Sequence, residues 1–104
     1  MIPVGTVYSL GIWTVKSGKE LAFITAWNDF AQWTMTHLDS SENAVLIQDL
    51  ANPQQFISFG PWNDLKSIDK WRNTSEFKNA FRTFKELCTD IQPNTFKCVA
   101  SVGR

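Results

Sequence analysis

The sequence predicts a single α+β domain in which helices cover one antiparallel sheet of four strands. Length is the first observation, because 104 residues fit one domain and leave too few for a second. The order of patterns along the chain is the second, since it runs strand, helix, strand, strand, helix, strand. The third is a large supply of core side chains, including five Trp and eight Phe. We therefore expect residues 1–104 to form one domain.

The first strand and the first helix have the clearest patterns. Residues Val7 to Val15 are rich in Val, Tyr, Ile, Trp and Thr, which favour strands. A turn follows, in which Ser17 or Gly18 can cap the next helix. That helix is predicted from about Lys19 to His37, because apolar residues recur there at helical spacing. The recurring residues are Leu21, Ile24, Trp27, Ala31, Met35 and Leu38, and the apolar surface is widened by Phe23, Phe30 and Trp33.

A hairpin and a short helix are predicted in the middle of the chain. Two short apolar strands, Ala44 to Leu50 and Gln55 to Trp62, flank a link that contains Asn-Pro. Asn63 or Asp64 can then cap a short helix that reaches Trp71.

The last part of the chain predicts a helix followed by a strand. Ser75 is expected to cap the helix, and residues 90–94 lead into a final strand at Thr95 to Val102. The apolar face of this helix comprises Phe77, Ala80, Phe81, Phe84, Leu87 and Cys88. The complete order is the split βαβ pattern of ferredoxin-like domains.

Both faces of the predicted sheet are free of charge along the first strand. One face carries Val7, Ser9, Gly11, Trp13 and Val15, and the other carries Tyr8, Leu10, Ile12 and Thr14. Helices of one subunit cover only one face of a single sheet, and an apolar second face is too large a patch for a monomer. We therefore predict a homodimer that pairs sheet to sheet, since twofold pairing is the commonest arrangement.

Composition excludes several classes of partner. Ten acidic and ten basic residues give no net charge, so neither nucleic acid nor an anionic membrane is an expected partner. No apolar run approaches the ~20 residues of a membrane span, and the first residues lack a signal-peptide pattern. Two cysteines, Cys88 and Cys98, are too few for a disulfide framework, and their spacing is not that of a metal-binding pair. We expect both to be buried free thiols in a cytoplasmic protein.

Several blocks of the sequence resemble the antibiotic biosynthesis monooxygenase family. The opening block is residues 13–20, followed by Phe23 and Trp27, and the later blocks are residues 46–49, 52–53, 56–62, 71–72 and 76–77. The resemblance covers the chain from about Val7 to Val102. It implies a dimeric α/β barrel with a pocket between each sheet and its helices. It does not fix the activity, because such relatives include haem-degrading monooxygenases, cofactor-independent oxygenases and proteins of unknown role.

The resemblance also indicates whether the chain could bind and degrade haem. Haem-degrading relatives carry an Asn, a Trp and a His at positions that correspond to Gly11, Trp71 and Phe81 here, so only the Trp is kept. Haem iron needs an axial ligand such as an imidazole, which Phe81 cannot supply. The single histidine, His37, lies at the end of the first predicted helix. The sequence therefore disfavours haem degradation, and we expect neither a metal site nor a cofactor.

The candidate ligand-binding residues are mostly aromatic, as is typical of small-molecule pockets. Gly11 leaves space on the strand face beside Ser9 and Trp13. The residues that the helices would contribute are Phe23, Trp27, Trp71, Phe77 and Phe81. The alternative, that these rings only fill the core, stays open.

The sequence assigns no catalytic residue, and the candidates are Trp71, His37 and Arg72. Indole N–H groups, Ser9, Arg72 and Asn73 are candidate donors to a developing anion. His37 has the intrinsic pKa range of a base, although a histidine at a helix end is more often solvated. An arginine in the position of Arg72 is more often a surface ion-pair partner than a substrate clamp.

Two functions remain open. The first is a dimeric, cofactor-independent monooxygenase of a phenol- or hydroquinone-type substrate, which itself reduces oxygen once it is deprotonated. The second is a non-catalytic dimer that binds an apolar ligand or acts as an accessory. The missing base favours the second function, whereas Trp71 and the high tryptophan content favour a working pocket. Oxygen consumption with hydroquinones and anthrones separates the two.

Overall fold

The predicted ferredoxin-like α+β fold is confirmed by the computed structural model of the chain, which describes residues 2–104. Within these residues the antiparallel four-stranded sheet has the strand order β2-β3-β1-β4. The elements are β1 (Val7–Val15), α1 (Glu20–His37), β2 (Val45–Gln48), β3 (Gln55–Trp62), α2 (Leu65–Arg72), α3 (Ser75–Leu87) and β4 (Cys88–Lys97).

Strand β1 lies in the middle of the sheet and pairs with both β3 and β4. Burial alternates with a period of two along β3, where Phe56 and Ser58 are buried and Ile57 is only half-buried. Alternation of this kind places one set of side chains under the helices and the other on the opposite face. The helix-covered face continues into β1 through Gly11 and Trp13, which are buried.

The start of α1 differs from the predicted start. The residue before the helix is Lys19, whose side chain makes no capping hydrogen bond, so neither Ser17 nor Gly18 is the cap. Gly18 instead turns the chain ahead of the helix at a φ of 87°, a conformation that glycine adopts without strain. Leu21 is 80% exposed, because the covered stripe of α1 is the one that begins at Phe23.

Helices α2 and α3 both begin at a side-chain cap. The Asp64 carboxylate accepts a hydrogen bond from the Ser67 N–H at 2.8 Å, which confirms one of the two predicted caps and lowers the pKa of this carboxyl. At α3 the cap is Thr74 rather than Ser75, because the Thr74 hydroxyl accepts from the Phe77 N–H at 3.1 Å. Ser75 is the first helical residue.

The last strand lies earlier in the chain than predicted. It begins at Cys88 and ends at Lys97, whereas the sequence predicted Thr95 to Val102. Helix α3 passes directly into β4, since Cys88 already has extended backbone angles of −117° and 149°. The segment is polar and contains Pro93, a composition that resembles a loop. Strand β4 tolerates it because an edge strand has one side free of pairing and exposes its side chains.

The core is an aromatic cluster between the sheet and helices α1 and α3. Phe23 and Phe84 are 0% and 1% exposed. The Trp13 ring packs against both, with centroid distances of 5.1 Å and 5.0 Å. The Phe56 ring also packs against Phe23, at a centroid distance of 5.1 Å. Tilted and edge-on pairs of this kind add to the stabilisation that comes from burial.

The face of the sheet opposite the helices is apolar and remains exposed in this chain. Val45, Ile47 and Phe96 are 40%, 50% and 50% exposed on it. The register aligns Leu10 with Phe59 and Ile12 with Ile57 on the same face. We call this surface the outer face, and it consists of Tyr8, Leu10, Ile12, Val45, Ile47, Ile57, Phe59 and Phe96.

Both cysteines are free thiols. Cys88 is buried at the junction of α3 and β4, and burial raises the pKa of its thiol to about 11. Cys98 is only half-buried and lies 3.4 Å from the Ala100 carbonyl oxygen. The prediction of two buried thiols is therefore right for Cys88 and wrong for Cys98, which lies beyond the end of β4.

None of the helices in residues 2–104 combines the length and apolar character required to cross a membrane.

Candidate functional site

A cavity of about 70 Å³ lies between the helix-covered face of the sheet and the helices. Strands β1 and β3 form its floor, and α1, α2 and α3 form its walls. Its volume is well below the roughly 300–1,000 Å³ of pockets that enclose drug-sized ligands. In this conformation the cavity therefore admits only a small molecule or the edge of a ring.

Most of the residues expected to bind a ligand do line this cavity. They are Ser9, Gly11, Trp13, Trp27, Trp71, Arg72, Phe77 and Phe81. Residues that the sequence did not single out as binding residues also line it, above all Phe30, Thr34, Ser58 and Trp62. The spacing along the sequence could have identified all four. Phe30 and Thr34 lie on the same side of α1 as Trp27, and Ser58 and Trp62 lie on the same face of β3 because an even number of positions separates them.

The floor of the cavity is shaped by Gly11. A Cβ atom at this position would lie 2.8 Å from Trp13 Nε1 and 3.1 Å from Ser58 Oγ. The place that Gly11 leaves is therefore not empty, as the sequence suggested, but holds the hydrogen bond between these two side chains. A glycine is required here because any larger residue displaces the indole.

Gly60 has a similar role on β3. A Cβ atom there would lie 2.5 Å from the Asn43 carbonyl oxygen, so the loop that enters β2 crosses close above the strand. Close backbone approach of this kind requires a residue without a side chain.

The helix side of the cavity is a continuous aromatic wall. Trp71 stacks on Phe30 at a centroid distance of 5.8 Å and an angle of 12°. Its other neighbours are Trp62 at 4.9 Å and Phe77, edge-on at 4.8 Å. Phe77 in turn stacks on Phe81 at 4.3 Å. Such a wall matches the flat faces of an aromatic ligand.

Each of three cavity tryptophans already donates its indole N–H to a hydroxyl group. A buried indole N–H requires such a partner. These N–H groups are therefore not the free donors that the sequence suggested. The three pairs are Trp13 with Ser58 at 2.9 Å, Trp62 with Ser9 at 2.9 Å, and Trp71 with Thr34 at 3.1 Å.

Arg72 is the only ionisable side chain among the cavity-lining residues that the structure describes. Its guanidinium donates hydrogen bonds to Thr95 Oγ1 at 2.8 Å and to the Asn94 carbonyl oxygen at 3.2 Å. Burial lowers the pKa of this guanidinium, and the nearby negative charge of Asp69 opposes the shift. The contacts tie Arg72 to strand β4, at the rim of the cavity, rather than to a surface ion pair.

Three expected site residues lie elsewhere. Phe23 is enclosed in the core and does not line the cavity. His37 is exposed at the end of α1, where its ring stacks on Trp33 at 4.8 Å. Asn73 follows α2 and donates to the Asp69 carbonyl oxygen at 2.8 Å. Phe23 lies on the covered stripe of α1 but one turn before Trp27, inside the core, whereas His37 and Asn73 lie at or just past a helix end.

The residues present do not fit haem. Gly11, Trp71 and Phe81 occupy the positions implied by haem-degrading relatives, and all three line the cavity. Phe81 offers no atom that can coordinate iron. Within residues 2–104, no group of three or more His, Cys, Asp and Glu side chains is placed to hold a metal ion.

Solved structures of other proteins share this fold. A conserved protein from Methanosarcina mazei Go1 is 19% identical and has a TM-score of 0.82, with 91% of this chain and 94% of that chain covered. A protein from Deinococcus radiodurans named after antibiotic biosynthesis monooxygenases is 18% identical, with a TM-score of 0.82 over 94% and 97% of the two chains.

A variant of SnoaB, a cofactor-independent oxygenase from Streptomyces nogalater, has a TM-score of 0.85 and 13% identity over 96% of this chain and 99% of that chain. At these identities the likeness concerns the fold alone. No curated protein matches the chain in sequence. The sequence model of antibiotic biosynthesis monooxygenases matches residues 7–83. The chain belongs to the antibiotic biosynthesis monooxygenase family.

Proposed function

We propose that this chain, as a homodimer, binds a small phenol- or hydroquinone-type aromatic molecule in the cavity and supports its oxidation by molecular oxygen without a cofactor. The observation that carries the proposal is the composition of the cavity. Stacked aromatic rings form its walls, and hydroxyl groups with one guanidinium are its polar side chains. The same fold in SnoaB, a cofactor-independent oxygenase, supports the proposal.

The chemistry needs no prosthetic group when the substrate supplies the electrons. An anthrone-type substrate, of which the cavity admits a ring edge, loses a proton from its ring methylene, and the resulting carbanion transfers its electrons to oxygen. A carbon–oxygen bond forms in a hydroperoxide, which then loses water to leave a carbonyl group. One oxygen atom enters the product and the other leaves in water, so atoms and electrons balance. The protein holds the ring and stabilises the anion.

A second candidate function is binding without catalysis. The observation that favours it is the absence of any carboxylate or imidazole among the described residues that line the cavity. Because no wall residue accepts a proton, the substrate must lose its proton to solvent. A ligand that is not acidic enough would be bound and left unchanged.

Oxygen uptake and ligand binding, measured on the same molecules, separate these functions. An oxygen electrode records uptake with anthrones and hydroquinones, while equilibrium dialysis records binding. With labelled oxygen gas, the proposal predicts one labelled atom in the anthrone product. Binding without uptake supports the second candidate, and absence of both contradicts the proposal.

The outer face supports the dimer. Val45, Ile47 and Phe96 are apolar side chains at least 40% exposed on it. Because a twofold axis pairs a surface with itself, two copies of this face can cover each other. A second copy of the chain is therefore the proposed occupant, with residues 1–104 as the single domain of each subunit.

A further inference from the structure

We propose that Ser9 and Ser58 form a binding subsite for an oxygen atom of the aromatic ligand, and that this subsite favours a deprotonated oxygen. The inference rests on the proposed function and deepens it, because it names the chemical form of the substrate that the cavity selects. We call the two hydroxyls the serine pair.

Each hydroxyl of the serine pair has an unused proton. An indole group is a donor only, whereas a hydroxyl has one proton to donate and two lone pairs that accept. Ser58 therefore accepts from Trp13 and Ser9 accepts from Trp62, both at 2.9 Å. Within residues 2–104 neither serine hydroxyl donates a hydrogen bond of its own, so both protons remain available.

The Thr34 hydroxyl, in the same cavity, both accepts and donates a hydrogen bond. It accepts from the Trp71 indole at 3.1 Å and donates to the Phe30 carbonyl oxygen at 3.0 Å. Its proton is therefore engaged within its own helix. Of the three indole-bound hydroxyls, only those of the serine pair are free to donate to a ligand.

The sheet register brings the serine pair to one part of the floor. Gly11 lies directly opposite Ser58, and Ser9 lies directly opposite Gly60. Such diagonal neighbours have Cα atoms roughly 7–8 Å apart. The other two corners are glycines, over which the Trp13 indole and the backbone of Asn43 pack closely. Both serines line the cavity, and an oxygen atom on the floor is flanked by the two donors.

Two hydroxyl donors that are each polarised by an indole N–H favour an oxygen that carries a negative charge. An O–H group that accepts from an N–H is polarised and becomes a stronger donor. Hydrogen bonds to a charged oxygen are about twice as strong as those to a neutral one. The serine pair therefore stabilises a phenolate more than a phenol, which lowers the pKa of the bound molecule. Proton loss to solvent then suffices, and the walls need no base.

The test measures the pKa of a bound phenol directly. 4-Nitrophenol is a suitable probe because its neutral and anionic forms absorb at different wavelengths. We expect the titration midpoint of the bound probe to lie about one pH unit below that of the free probe, which is a tenfold preference for the anion. Ser9→Ala and Ser58→Ala should each return the midpoint toward the free value.

Thr34→Val is the matched control, because it removes an indole–hydroxyl hydrogen bond without removing a free proton. It should leave the midpoint of the bound probe unchanged. Ser58→Ala leaves the Trp13 N–H without a partner and Ser9→Ala leaves the Trp62 N–H without one; Ser58 itself is buried, so Ser9→Ala decides the question if Ser58→Ala does not fold. Ser9 is only half-buried and tolerates the change better.

Four outcomes would overturn the inference. An unshifted midpoint in the wild type excludes a preference for the anion. If the midpoint shift survives both serine replacements, the effect belongs to the Arg72 guanidinium. If Thr34→Val loses as much of the midpoint shift as the serine variants do, the effect belongs to general packing. If 4-nitrophenol does not bind to the wild type at all, the proposed function fails together with the inference; if it binds with an unshifted midpoint, only the inference fails.

Discussion

Replacing Trp71 by Phe tests whether this ring is a wall of the binding cavity or only part of the core. The change removes the N–H that donates to Thr34 Oγ1 at 3.1 Å, a hydrogen bond worth about 1 kcal/mol. Loss of apolar contact adds about 1 kcal/mol, because the ring is half-buried and one side borders the cavity. We therefore expect the free energy of unfolding to fall by about 2 kcal/mol.

Ligand affinity should fall as well. Trp71 stacks on Phe30 at 5.8 Å and 12°, which holds the indole rigidly as a surface for a flat ligand. A ring contact of this kind is worth ~0.5–1.5 kcal/mol beyond burial. The affinity for a planar phenol should therefore fall about two- to tenfold in Trp71→Phe.

Phe23→Leu is the matched control, because Phe23 is fully buried and lies outside the cavity. It should lower the free energy of unfolding by about 1–2 kcal/mol and leave the affinity unchanged. Urea unfolding measures the stability of both variants, and equilibrium dialysis with the phenol measures affinity. A large loss of stability with unchanged affinity in Trp71→Phe would refute its role as a cavity wall, and so would equal weakening by Phe23→Leu.

Four further predictions follow from the outer face, the cavity and the core. Light scattering at micromolar concentration should report twice the chain mass, and Ile47→Lys on the outer face should convert the dimer to a monomer; a wild-type monomer contradicts the proposed dimer. Haem titration should give no saturable Soret shift, because Phe81 cannot ligate iron, and stoichiometric binding with degradation would show this argument to be wrong. Gly11→Ala should cost about 1–3 kcal/mol of unfolding free energy, since its Cβ meets the indole of Trp13 at 2.8 Å; unchanged urea unfolding would mean that the indole moves freely. Burial raises the pKa of Cys88 to about 11 from 9.0, so stability should be full below pH 9 and fall as pH rises toward 11, and Cys88→Ala should flatten this fall relative to the wild type.

The fold was largely predictable because its signals are local. Strand β1 has the bounds Val7–Val15 in both the prediction and the structure, since a run of β-branched and aromatic residues favours extended backbone without help from distant parts of the chain. The amphipathic pattern of α3 was equally clear. Helix caps were less predictable, because Thr74 and Ser75 are both good capping residues and only backbone geometry distinguishes them.

Strand β4 shows where local signals fail. Its polar composition and Pro93 resemble a loop, and the segment becomes a strand only because β1 offers a free edge along its length. Pairing with a distant strand supplies the hydrogen bonds that the local sequence does not predict. The same dependence on tertiary context explains Leu21, which fits the helical spacing but is 80% exposed.

The sequence by itself determined the fold class, the family and the aromatic character of the pocket, because these depend on residue type and on spacing within one element. Only the tertiary structure decided which side chains meet. Trp13 and Ser58 are 45 positions apart, so no local pattern reveals that one donates to the other. Nor does it reveal that Phe23 turns into the core while Trp71 borders the cavity. Hydrogen-bond partners and cavity walls are set by the packing of strands against helices, and a single segment contains only half of each contact.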